Sequence, residues 1–101
     1  MVGSIDGAHR SRAAPRYKLF QPTAMTTPSG TARVHLLNLS TGGALVHAAD
    51  PPPAGSLLRL QCGTEQRVAR VAWSRGRRFG AAFSLPLSEA QVEALLPVIQ
   101  P

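Results

Sequence analysis

The chain has one cysteine, five aromatic residues and only five acidic residues in 101. A single cysteine, Cys62, excludes an internal disulfide, and nothing near it in sequence supplies the base that a catalytic thiol needs. We therefore expect Cys62 to be a buried, inert thiol. The few aromatic residues provide little surface on which nucleic-acid bases could stack. The shortage of acid against eleven Lys and Arg leaves a net charge of +6, which favours anionic partners.

Long apolar runs are also absent, and no segment approaches the length of a membrane span. Residues 1–15 are polar and lack the apolar middle of a signal peptide. The sequence thus predicts a cytoplasmic protein with no membrane insertion.

Residue patterns typical of enzymes are missing as well. The three histidines, His9, His35 and His47, are scattered and lack metal-ligand spacing. Glu89 and Glu93 fall on a predicted helix, where solvation is the default, and no Gly-rich phosphate loop of the P-loop type is present. We therefore predict a binding protein that is not an enzyme and has no metal or cofactor.

What is present is a pattern of short strands followed by one helix. Residues 1–15 are predicted to be a flexible N-terminal arm, and residues 16–101 a single domain with one modest core. Short alternating segments at short intervals predict an all-β fold, a closed six-stranded antiparallel β-barrel, with one C-terminal helix. The predicted strands run from Tyr17 towards Met25, from Thr31 to Leu39, from Ala44 to His47, from Leu57 to Leu60, from Arg67 to Trp73, and through Phe79, Ala81 and Phe83.

Two further expectations concern the core. In the fifth strand, Ala69, Val71 and Trp73 alternate and are predicted to share the inner face, so Trp73 is expected in the core. At the end of the chain, Ser88 and Gln91 stand in capping-box positions and predict a helix over about 88–97. The apolar stripe of that helix is expected to cover one mouth of the barrel. The stripe consists of Val92, Leu95, Leu96 and Ile99.

Two short patterns carry the functional information. The first is the R-x-x-x-R of Arg12 and Arg16, the only two arginines in the chain with that spacing. A guanidinium presents a planar fork of donors that binds phosphate or the O6/N7 edge of guanine. Taken alone, the pattern is more typical of a solvated basic tail.

The second pattern is the N-x-S-x-x-G of Asn38, Ser40 and Gly43. An amide and a hydroxyl two residues apart on a strand share a face and can meet the edge of a base, and glycine lets a ligand approach the backbone. By itself the pattern also fits an ordinary turn at the end of a strand.

Together, and in this order, the two patterns resemble the signature of the PilZ domain family, and the resemblance extends over roughly residues 10 to 97. That resemblance implies a bacterial receptor for the second messenger cyclic di-GMP. It assigns Arg12 and Arg16 to guanine and phosphate contacts, and Asn38, Ser40 and Gly43 to the half of the site on the barrel. Asn in place of the frequent Asp still fits the family pattern, and Arg10 is a candidate for one more phosphate contact.

The mechanism that follows is a switch. Cyclic di-GMP would tie the arginine arm to the barrel, and an unidentified downstream protein would read the changed surface. Two alternatives stay open at this stage: a small basic barrel that binds RNA or single-stranded DNA, and a PilZ-type adaptor that works only through proteins. One predicted turn is crowded with three arginines, Arg75, Arg77 and Arg78. They are interpreted as a solvated patch, with contact to an acidic partner or to the ligand's phosphates as the alternatives.

Overall fold

A computed structural model describes residues 15–96 of the chain. All of the predicted N-terminal arm except Pro15 lies outside the described residues, together with Arg10 and Arg12. The last part of the predicted helical stripe, at Ile99, lies outside them as well.

The described residues form six antiparallel strands that close into a barrel, followed by one short helix, as the sequence predicts. Around the barrel the strands run in the order β1-β2-β3-β6-β5-β4, and β1 closes the barrel against β4. The third strand therefore pairs with the last one, and the segment between β3 and β4 crosses the end of the barrel. The elements are β1 (Tyr17–Thr27), β2 (Gly30–Leu39), β3 (Gly43–His47), β4 (Leu57–Cys62), β5 (Glu65–Arg75), β6 (Arg78–Phe83) and α1 (Glu89–Leu95).

The core lies inside the barrel and is filled by the inward-facing residues of every strand. Side chains alternate along a regularly paired strand, so β2 to β6 contribute alternate residues to this core except where a bulge interrupts the pairing. The first strand contributes Met25, with Leu19 packed against the core. The largest fully buried side chain is that of Phe79 on β6. The other large side chains that are buried almost completely are Val34, Leu36, Leu39, Val46, Leu60, Val71 and Val92.

Trp73 does not belong to this core, which corrects the prediction made for it. Val71 pairs with Ala81 and Trp73 pairs with Gly80, so Ala72 is an extra residue on β5. Such a β-bulge shifts the alternation by one residue. Val71 therefore faces inward while Trp73 faces outward and remains 44% exposed.

The helix α1 covers one mouth of the barrel. Leu87, just before the helix, and Val92 within it are both buried in the core cluster. The predicted capping box is present: Gln91 N–H donates to Ser88 Oγ at 3.0 Å, and Ser88 N–H donates to Gln91 Oε1 at 2.7 Å. The helix is shorter than the predicted 88–97, since Leu96 has extended backbone angles.

Cys62 lies under this mouth and is 3% exposed. Burial raises the pKa of the Cys62 thiol to about 11, although the nearby Arg67 acts in the opposite direction. A raised pKa keeps the thiol protonated at neutral pH, and the thiolate is the reactive form. The expected burial of Cys62 is confirmed, and its low reactivity stays a prediction.

We predict that Cys62 reacts very slowly with a thiol reagent in the folded protein. At pH 8 only about one thiol in a thousand is ionised when the pKa lies three units higher. The measurement is the rate of modification by dithionitrobenzoate at pH 8, with the protein in guanidinium chloride as the control. Comparable rates in the folded and unfolded protein would contradict this burial.

Candidate functional site

A cleft with a volume of about 480 Å³ lies on the outer surface of the barrel. It extends from the residue before β1 across the outer faces of β3, β6 and β5. Its lining residues are Arg16, Asn38, Ser40, Gly42, Gly43, Ala44, Leu45, Ala72, Trp73, Gly80, Ala81 and Ala82. Four of the residues predicted from the sequence, Arg16, Asn38, Ser40 and Gly43, thus line one cleft.

A second β-bulge places Asn38 in the cleft. On β2, Leu36 pairs with Val46 and Asn38 pairs with Leu45, so Leu37 is an extra residue relative to β3. Strict alternation would put Asn38 on the same inner face as Leu36. The bulge turns Asn38 outward instead.

The Asn38 carboxamide connects the two sequence patterns. Its Oδ1 accepts a hydrogen bond from Arg16 Nη1 at 3.0 Å and another from the Leu45 N–H at 3.1 Å. Because both partners are donors, the atom that faces them must be the oxygen. Arg16 is therefore held at the cleft by a residue 22 positions later in the sequence. The Asn38 Nδ2 group keeps its two donors, and within residues 15–96 it has no hydrogen-bond partner.

Ser40 and Gly43 shape the turn between β2 and β3. Ser40 is 5% exposed, and both its N–H (2.9 Å) and its Oγ (3.3 Å) donate to the Gly43 carbonyl. A Cβ atom on Gly43 would overlap the carbonyl oxygen of Ala81 on β6. Glycine is thus required because two strands approach closely, and Ser40 fixes the turn.

Backbone hydrogen bonds also connect the β2–β3 turn to the rest of the fold. The Phe83 N–H donates to the Gly42 carbonyl at 2.9 Å, and the Leu87 N–H donates to the Thr41 carbonyl at 2.8 Å. These bonds connect the turn to the end of β6 and to the segment before α1. The cleft therefore has a preorganised floor.

Trp73 forms part of the opposite wall, and sequence reasoning missed it as a site residue. Its indole lies against Gly80, where a Cβ atom would overlap the indole Nε1. An exposed aromatic ring beside a basic cleft is a surface on which a base can stack. The sequence shows a single tryptophan and, on the next strand, a glycine. That Trp73 contacts Gly80 follows only from the register between β5 and β6.

The electrostatics of the cleft favour an anionic ligand. Its lining includes Arg16 and no carboxylate. Lys18 on β1 pairs with Asn38, and Arg70 on β5 pairs with Ala82. Two further cations therefore flank the residues that line the cleft. In the described part of the chain, no group of three or more His, Cys, Asp or Glu side chains is placed to hold a metal ion. The arrangement suits binding of a planar, negatively charged molecule.

Comparison with known protein families identifies the class of protein. The PilZ domain family matches residues 10–99, which cover the barrel and the helix, and the chain belongs to this family. PilZ domains are receptors for cyclic di-GMP in general and are known as binding domains. No curated protein matches the chain. Over residues 15–96, the helix is too short to cross a membrane.

The close approach at Gly43 yields a prediction about stability. Gly43→Ala should destabilise the domain by about 1–3 kcal/mol, because the new methyl group would meet a backbone carbonyl that cannot rotate away. Gly42→Ala is the matched control, since a Cβ atom there meets nothing within 4 Å. Thermal unfolding of both variants measures the difference. Equal midpoints would contradict the close contact between β3 and β6.

Proposed function

We propose that this protein binds cyclic di-GMP in the cleft, through Arg12 and Arg16 on one side and through Asn38, Ser40 and Gly43 on the other. The observation that carries the proposal is the hydrogen bond from Arg16 to Asn38. It joins the last residue of R-x-x-x-R to the first residue of N-x-S-x-x-G. Two patterns that are ambiguous separately become neighbours on one surface.

The chemistry of the cleft fits a guanine dinucleotide. The Arg16 guanidinium has several donors, only one of which is engaged by Asn38, so it can still bind a phosphate or the O6/N7 edge of guanine. The Asn38 Nδ2 group offers donors to the same ligand. Trp73, on the opposite wall, offers its ring for stacking against a guanine.

Arg12 and Arg10 enter the proposal through their sequence positions. Arg12 lies four residues before Arg16, and four residues of extended chain span at most about 14 Å. Arg12 can therefore reach the cleft from Arg16, where it would contact guanine or phosphate. Arg10 would add a phosphate contact.

Ser40 and Gly43 contribute mainly by shaping the site. The Ser40 hydroxyl donates to the Gly43 carbonyl, and its oxygen can still accept a hydrogen bond from a ligand donor. Gly43 allows the ligand to approach the backbone. Loss of either residue would alter the floor of the cleft.

The proposed signalling step is ordering of the N-terminal arm. A ligand held between Arg12, Arg16 and the β2–β3 turn would fix the arm against the barrel, and a downstream protein would read that surface. The proposal places the protein in the bacterial cytoplasm, without enzymatic activity and without specific nucleic-acid binding. The exposed ring of Trp73, together with the net charge of +6, favours a single-stranded nucleic acid as the alternative ligand.

We predict that cyclic di-GMP binds and that Arg16→Ala weakens binding roughly ten- to a hundredfold. The loss corresponds to about 1.5–3 kcal/mol for a hydrogen bond to a charged group. Isothermal titration calorimetry measures both affinity and stoichiometry. Arg33→Ala is the matched control, because Arg33 is exposed on β2 and does not line the cleft. No binding by the wild type would refute the function, and equal affinity of the two variants would refute the site.

We also predict that cyclic di-GMP changes the fluorescence of Trp73, the sole tryptophan of the chain. A guanine stacked on the indole should quench its emission, and Trp73→Ala should weaken binding by about 1–3 kcal/mol in calorimetry. GTP at the same concentration serves as the ligand control. Saturable cyclic di-GMP binding that leaves both the emission and the Trp73→Ala affinity unchanged would exclude Trp73 from the site.

A further inference from the structure

Beside the cleft, four side chains with basic character stand in a row across four neighbouring strands. The register pairs His35 with His47, His47 with Arg78, and Arg78 with Arg75. Residues paired in this way project from the same face of a sheet. We call these four residues the basic ladder.

The basic ladder lies on the outer surface of the barrel. Its two arginines are exposed and its two histidines are half-buried, whereas the flanking residues Val34, Val46 and Phe79 are buried. With neighbouring strands about 4.8 Å apart, the four positions extend over about 14 Å. Arg77 in the β5–β6 turn adds another exposed cation beside Arg78.

An exposed aromatic ring lies at the His35 end of the basic ladder. Phe20 stacks on His35 with ring centroids 4.6 Å apart and an angle of 15° between the planes. Phe20 is nevertheless 71% exposed. The surface thus combines a line of cationic and hydrogen-bond-donating groups with one apolar end.

The charges of the ladder are not neutralised within the described residues. The salt bridge there, from Arg67 to Glu65, lies at the opposite end of β5 from Arg75. Arg67 is eight residues and Glu65 ten residues from Arg75, or about 26–33 Å along the strand. Glu89 and Glu93 lie on α1, and Gln91 of this helix accepts a hydrogen bond from Arg67 at 3.3 Å, so α1 is beside that same end of β5. Within residues 15–96, Asp50, which lies three residues after the end of β3, forms no salt bridge with the ladder.

We propose that the basic ladder is a docking surface for an acidic segment of a partner protein. Guanidinium groups bind carboxylates through bidentate hydrogen bonds, and imidazole N–H groups add further donors. A spacing of about 14 Å suits several carboxylates along a short segment, with an apolar side chain against Phe20. Outside residues 15–96 the only acidic side chain of the sequence is Asp6, and one carboxylate cannot match a row of four groups, so the acidic segment must come from another molecule.

A protein segment fits this surface better than a nucleic acid does. Single-stranded nucleic acids need successive aromatic platforms along their track. The ladder has one ring, Phe20, and His35 already covers one face of it. None of the ladder residues lines the cleft, so this proposal does not rest on cyclic di-GMP binding.

The test uses a fluorescein-labelled peptide of six glutamates flanked by Gly-Ser, titrated with the full chain at 0.15 M salt and followed by fluorescence anisotropy. The double variant Arg75→Gln/Arg78→Gln should bind at least tenfold more weakly than the wild type. The double variant Arg59→Gln/Arg70→Gln removes the same charge away from the ladder and should change the affinity less than twofold. Equal losses in the two variants, or no binding by the wild type, would overturn the proposal.

Three further measurements complete the test. A peptide with glutamine in place of glutamate should not bind; equal binding would overturn the role of charge. A ten-nucleotide oligo-dT should bind more weakly than the acidic peptide. Tighter binding of the oligo-dT, if that binding depends on Arg75 and Arg78, would overturn the protein partner in favour of a nucleic acid. Sedimentation that shows self-association through the ladder would overturn a foreign partner in favour of a second copy.

Calorimetry with cyclic di-GMP on the Arg75→Gln/Arg78→Gln variant separates this inference from the proposed function. We expect the variant to keep the wild-type stoichiometry and to lose less than tenfold in ligand affinity, because the ladder lies outside the cleft and acts on it only through its charge. The thermal midpoint should show a folded domain. A peptide affinity that falls only because the variant has unfolded would overturn the assignment to the ladder.

Discussion

The candidate site depends on β-bulges that turn two cleft residues outward from the barrel. The extra residue Leu37 on β2 reverses the alternation so that Asn38 leaves the inner face, and the extra residue Ala72 on β5 does the same for Trp73. A third register shift occurs on β1 between Lys18 and Gln21, opposite the same part of β2. Bulges typically reorient side chains next to functional sites in this way.

A bulge leaves a backbone group without its ladder partner, and Asn38 resolves this locally. Its side-chain oxygen accepts the Leu45 N–H on the paired strand and, at the same time, the Arg16 guanidinium. The residue that stabilises the irregular pairing is therefore also the one that positions the arginine. Architecture and binding chemistry cannot be separated at this position, so a substitution of Asn38 would affect both.

The concavity of the cleft has a simple steric origin. The outer face of β6 carries Gly80 and Ala82 there. A methyl group at Gly43 on β3 would overlap Ala81, and one at Gly80 would overlap Trp73. Larger outward-facing side chains would fill the space of about 480 Å³. The glycines thus serve two purposes, since they permit close strand contact and they leave room for a ligand.

The sequence was sufficient to predict the barrel, the capped helix and the buried thiol, because each depends on local pattern or composition. It also predicted that Asn38, Ser40 and Gly43 lie together, since they are close in the chain. It could not predict that Trp73 faces outward, because a bulge depends on the register of strands that are paired only after the barrel closes. The pairing of β3 with β6, and with it the basic ladder, is likewise a product of tertiary structure: His35, His47, Arg75 and Arg78 form no motif in the sequence.

The same register places the cleft and the basic ladder in adjacent rows of one sheet. Leu45, Gly80 and Trp73 line the cleft, and the ladder residue on each of these strands lies two positions away, or about 7 Å. This separation is shorter than the Debye length of about 8 Å at physiological ionic strength. Phosphates bound in the cleft and carboxylates bound on the ladder would therefore experience each other's charge. A sheet built in this way connects two surfaces electrostatically without any change in the barrel itself.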